Sequence, residues 1–75
     1  SEIIKAMKEI HNDGVDQIRP REVAKYYGVT ANSKDGRRMA RTMQRMADAY
    51  EIIKGSKYGT YIYHSGKDKN GEDII

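Results

Sequence analysis

Arg37, Arg38, Arg41 and Arg45 stand close together in this chain. The arginine side chain is a permanently charged planar fork that pairs with phosphate or with a guanine edge through two bonds at once. On a helix, Arg37, Arg41 and Arg45 fall at i, i+4 and i+8 and form one ridge, with Arg38 beside it and Gln44 at its edge. Like charges at that spacing repel, by roughly a few tenths of a kcal/mol per pair. The crowding therefore asks for an anion from outside the chain, with DNA first among the candidates. A solvated surface helix is the plainer alternative, as for most charged faces. Here the face is nearly single-signed, Asp48 being its only acid, and that ranks the binding reading first.

Other chemistries find less support. His11 and His64 are far apart and lack metal-ligand spacing. There is no Cys, hence no thiolate site and no disulfide. No Gly-rich phosphate loop or nucleophile elbow is present. A tyrosine nucleophile of the recombinase kind needs a larger catalytic set than 75 residues offer. No catalytic residue, metal ligand or cofactor site is assigned, and the chain is not expected to be an enzyme. The four Met residues read as adaptable core filler.

The elements that must position the arginines follow from periodicity and capping. Ser1 to Asn12 reads as an amphipathic helix, with Ile3, Ile4, Met7, Ile10 and His11 on one face, Ser1 as cap and Gly14 as its stop. The stretch V-D-Q-I, 15–18, predicts a brief extended segment that turns Val15 or Ile18 to the core. Pro20 opens a two-turn helix over 20–27, closed by Gly28, with Val29 packing back. The polar connection TANSKDG leads to a third helix that starts between Thr30 and Asp35 and runs to Tyr50. Its apolar face gathers Met39, Ala40, Met43, Met46, Ala47 and Tyr50. Gly36, near its first turn, would let a phosphate approach the backbone. Ile52-Ile53 and T-Y-I-Y-H, 60–64, joined by GSKYG, predict a β-hairpin. Alternation puts Tyr61 and Tyr63 on one face and Thr60, Ile62 and His64 on the other, leaving open which face is core. Residues 65–75 read as a polar tail with a turn at Asn70-Gly71, ending in Ile74 and Ile75.

Length and composition fit one small domain over 1–64 followed by that tail. The absence of Cys and of any apolar run near the ~20 residues of a membrane span favours a cytoplasmic setting without membrane contact. The net charge is +3, unevenly spread. Residues 19–57 hold ten bases and four acids, giving +6, and the remainder holds four bases and seven acids, giving −3. A basic middle is the distribution expected of a nucleic-acid footprint.

The order of helix, extended segment, short helix, turn, basic helix and hairpin resembles a winged helix-turn-helix DNA-binding domain. The resemblance is carried by Arg19-Pro20-Arg21-Glu22-Val23-Ala24-Lys25-Tyr26-Tyr27-Gly28-Val29-Thr30, similar to the pattern T-x-x-E-I/V-A-x-x-x-G-V-S/T of that superfamily. Arg41, Met43 and Met46, followed by Tyr50, Ile52 and Ile53, echo R-x-L-x-x-L and the G-L-I that leads into the first wing strand. Three departures stand out. Arg19 replaces the capping Thr or Ser, Tyr50 stands near the usual Gly, and the connection 29–36 is longer than the tight turn of the commonest members.

The resemblance implies an α+β fold, a three-helix bundle with a C-terminal β-hairpin wing. It implies double-stranded DNA as partner, with the third helix in the major groove and the wing on backbone or minor groove. The function expected is that of a sequence-specific regulator of transcription or replication, of phage, plasmid or prokaryotic chromosomal kind. Arg37 and Arg41 are the expected base readers, with Arg38 and Gln44 on the same helix and Asn32, Ser33 and Lys34 at its front. Arg45, Lys54 and Lys57 are expected on phosphates, Tyr58 at the wing tip, and Arg19 and Arg21 facing the backbone. Most such modules bind as dimers, and a homodimer on DNA stays open because no extra dimerisation helix is visible. Two alternatives remain. An RNA-binding winged helix would stack Tyr58, Tyr61 and Tyr63 on unpaired bases. A protein-interaction winged helix would ignore nucleic acid and tolerate charge reversal at Arg41.

Overall fold

A computed structural model describes residues 2–64. The expected Ser1 cap and the whole tail 65–75, with its turn and terminal isoleucines, lie outside the described residues. The order is α1 (Glu2–Asn12), α2 (Pro20–Tyr26), α3 (Lys34–Asp48), β1 (Ile53–Lys54) and β2 (Tyr61–Ile62). Three helices and a two-stranded antiparallel hairpin make an α+β domain.

Each element buries the stripe its periodicity offers. Ile4, Ala6 and Met7 of α1, Val23 and Ala24 of α2, and Met43, Met46 and Ala47 of α3 are buried. The short α2 packs against both α1 and α3, as a helix too short to persist alone must. Tyr27, just past α2, donates its hydroxyl to the Glu2 carbonyl and ties that helix end to the start of α1.

The hairpin pairs Ile53 with Ile62 and Lys54 with Tyr61. Such short strands need further support. Ile18 supplies it by exchanging two backbone hydrogen bonds with Tyr61, each 2.7 Å, as an isolated antiparallel bridge. The segment 15–18 thus turns Ile18 into the core and leaves Val15 exposed. Ile52, Ile18 and Tyr61 join the helical core, with Tyr63 packed against it. The tyrosine face is therefore the inner one. Thr60, on the other face by alternation, is also buried, with its hydroxyl bonded to Gln17 Oε1 and Lys57 O.

All three helices stop in the same way. Val15 N–H reaches Ile10 O, Val29 N–H reaches Ala24 O, and Glu51 N–H reaches Met46 O. Each is the six-to-one bond of a Schellman motif, which needs a left-handed residue just before its donor. Gly14 (φ 95°) and Gly28 (φ 72°) fill that place after α1 and α2, but Tyr50 (φ 63°) fills it after α3. The third helix consequently ends at Asp48, two residues before its expected limit. Tyr50 leaves the apolar face assigned to it and stands half exposed. The helical projection placed it inward only by continuing a helix that the chain terminates.

Candidate nucleic-acid interface

The front of α3 is built by its own approach loop. Ser33 Oγ accepts from Gly36 N–H at 3.1 Å, capping the helix, and donates to Thr30 O at 2.6 Å. The 30–33 turn is thereby folded onto the first helical turn. Gly36 is buried there, and a Cβ on it would lie 2.3 Å from Thr30 O and 2.5 Å from Ala31 O. The close backbone approach expected for a phosphate is taken up by the protein's own carbonyls. Gly36 is a packing glycine, not part of an anion site.

Arg37 Nη1 donates to the carbonyl of Asn32. This bond holds Arg37 beside Asn32, Ser33 and Lys34 at the helix front and uses part of its fork. Arg38, Arg41, Gln44 and Arg45 are exposed along the rest of α3. Among the described residues, the close lysine–carboxylate pair is Lys54 Nζ to Asp48 Oδ1, 3.5 Å, and His11 Nδ1 lies 3.6 Å from Asp16 Oδ1. Neither involves an arginine. Asp48, the one acid on the arginine side, is turned to Lys54. That exposed pair contributes at most about 1 kcal/mol.

An open groove of about 470 Å³ separates α3 from the hairpin. Arg41, Gln44 and Ala40 line one wall, and Lys54, Lys57 and Tyr58 line the other. Pro20, Gly55, Gly59, Thr60 and Tyr61 contribute the remaining surface between them. Tyr58 is 100% exposed at the loop tip. A smaller recess of about 240 Å³ is lined by Arg19, Arg21, Ala31 and Gly36 and shares Pro20, Ala40 and Gly59 with the first. The fold thus gathers Arg41, Gln44, Lys57 and Tyr58 around one groove and Arg19 and Arg21 around an adjoining recess. Arg38 and Arg45 line neither groove, and Asn32, Ser33, Lys34 and Arg37 sit beyond them at the helix front.

The hairpin wall is held by a contact that no local pattern leads one to expect. Gln17 Oε1 accepts from Ser56 N–H and from Thr60 Oγ1, both at 3.0 Å. These partners are 39 and 43 positions away, so no local pattern announces them. Pro20 and Ala40 were equally hidden, since small apolar residues carry no binding signature. Burial pushes the Tyr61 hydroxyl above its ordinary pKa, an effect that the Lys54 charge opposes.

Among the described residues, no cluster of three His, Cys, Asp or Glu could hold a metal ion. No described helix is long and apolar enough to cross a membrane. Comparison of the chain with protein-family models, curated proteins and solved structures finds no match.

Proposed function

We propose that this chain is a winged helix-turn-helix module that binds double-stranded DNA and reads its sequence, acting inside a prokaryotic or phage system in transcription or replication control. The observation that carries the reading is the arginine ridge of α3, which has no carboxylate partner within 4.0 Å among the described residues and whose middle member, Arg41, faces Lys57 and Tyr58 across a groove. At 15 residues, α3 is about 22 Å long, a rod of the size a major groove admits. Arg41 and Gln44 share the groove wall and suit guanine and adenine edges respectively. Arg37 is restrained by its bond to Asn32, which makes it a positioning contact at the helix front as much as a base reader. Arg38, Arg45, Lys57, Arg19 and Arg21 supply phosphate contacts, which provide most of the affinity in such complexes.

Selection of binding sites from random duplexes tests this directly. An enriched motif should appear, and on it log K should fall with log salt by about 0.9 for each phosphate neutralised. No enrichment together with a flat salt response would remove the proposal. The fully exposed Tyr58 favours a second reading, stacking on single-stranded RNA. Competition between the selected duplex and unpaired RNA decides between them, since the duplex should win.

A further inference from the structure

We infer that Gln17, which lies outside the cationic surface, is the positioning residue that ties the hairpin loop to the 15–18 segment, across the groove from α3, and so sets where Lys57 meets DNA. The inference rests on the DNA-binding reading for its consequence and on geometry alone for its mechanism. Gln17 precedes Ile18, whose two bonds to Tyr61 clamp the extended segment beside β2. From that clamped base the Gln17 amide reaches across the foot of the loop and receives Ser56 N–H and Thr60 Oγ1.

Thr60 is buried, so its hydroxyl needs a partner. It has one proton and two nearby acceptors, Gln17 Oε1 and Lys57 O. Each acceptor already receives one backbone N–H, Lys57 O from Thr60 at 3.1 Å and Gln17 Oε1 from Ser56 at 3.0 Å, so the hydroxyl bridges the two and the Ser56 bond is the tether that belongs to Gln17 alone. Space confirms how closely the amide passes the loop. A Cβ on Gly55 would lie 2.2 Å from Thr60 Oγ1 and 2.3 Å from Gln17 Oε1, so the chain omits a side chain where the amide passes. Among the described residues, the loop 56–59, which carries Lys57 and Tyr58, has no side-chain tether but Gln17 and its own turn to Thr60. Without Gln17 the loop keeps its charge and loses its fixed angle to Arg41 and Gln44.

The test uses Gln17→Met, which keeps length and charge but removes the acceptor, beside Gln17→Glu, which retains one. Amide hydrogen exchange by NMR is read at Ser56. Gln17→Met should raise its exchange at least tenfold while the core amides of Met7 and Met43 stay protected, and Gln17→Glu should restore protection. Unchanged Ser56 exchange overturns the tether. The second readout is the salt slope on duplex DNA. Lys57→Ala should reduce the slope by about 1 in the wild-type background, and by nothing further in the Gln17→Met background. A full Lys57→Ala effect in both backgrounds means that Gln17 merely supports the fold, and overturns the positioning role. If the wild type does not bind duplex at low salt, the functional reading falls and takes that role with it, whereas the exchange result judges the tether by itself.

Discussion

Gly36 is where sequence propensity and packing give opposite forecasts. In an exposed helix, replacing Gly by Ala stabilises by up to about 1 kcal/mol. At Gly36 the added Cβ would strike Thr30 O and Ala31 O, which are backbone atoms and cannot rotate aside. Gly36→Ala should therefore lower the urea midpoint, at a cost of about 1–3 kcal/mol, the usual range for overpacking. A raised midpoint would mean that the 30–33 turn does not lie on α3 as described. Tyr61 makes a second forecast at this scale. Burial raises its pKa above the ordinary value of 10.0, so the folded state holds the proton more tightly than the unfolded one. Its contribution to stability is complete below pH 10.0 and is lost as pH rises through the higher folded value. Wild type should lose stability above that pH faster than Tyr61→Phe, which has no proton to release. Parallel alkaline decline of the two proteins in thermal melts would show that the hydroxyl is not in fact desolvated.

At the scale of elements, the end of α3 is the point under strain. A left-handed conformation costs a non-glycine residue of order 1–2 kcal/mol. Tyr50 is half exposed, so its ring also contributes burial, and the backbone cost is isolated by comparing two variants that both lack the ring. Tyr50→Gly should be more stable than Tyr50→Ala by about 1 kcal/mol in chemical denaturation, because only the alanine keeps the left-handed penalty. Equal stability of the two variants would show that residue 50 is not held in that conformation. The same helix end shows what a sequence can and cannot disclose. Gly14 and Gly28 announced their stops because glycine is the residue that a left-handed cap favours. Tyr50 bears no such mark, and a helical wheel drew it inward. The helices themselves were legible because capping and a 3.6-residue period are local. So was the arginine ridge, which needs only the helix that carries it. The placing of Arg41 and Gln44 opposite Lys57 and Tyr58 was not, because it depends on docking the hairpin through Ile18 and Gln17. Those contacts join positions about forty apart, and their partners are chosen by packing rather than by type.

For the whole molecule, what matters is where the charge lies rather than its sum. The basic middle of the chain supplies α2, α3 and the hairpin loop, while Lys5 and Lys8 sit exposed on α1 and line neither groove. Two double variants separate location from total. Lys5→Glu with Lys8→Glu changes the formal net charge by −4, from +3 to −1. Arg41→Glu with Arg45→Glu makes the same change. If the protein binds DNA through its overall field alone, the two should weaken binding alike. If α3 is the contact surface, the arginine pair should lose the Arg45 phosphate contact, reducing the salt slope by about 1, and the Arg41 base contact, relaxing sequence preference. The lysine pair should leave the slope unchanged and lower affinity only slightly, since charges beyond about 10 Å are screened at 0.1 M salt. Titration of a fluorescent duplex at several salt concentrations reads both quantities. Equal slopes for the two variants would move the interface off α3, and a larger effect from the lysine pair would place it on α1.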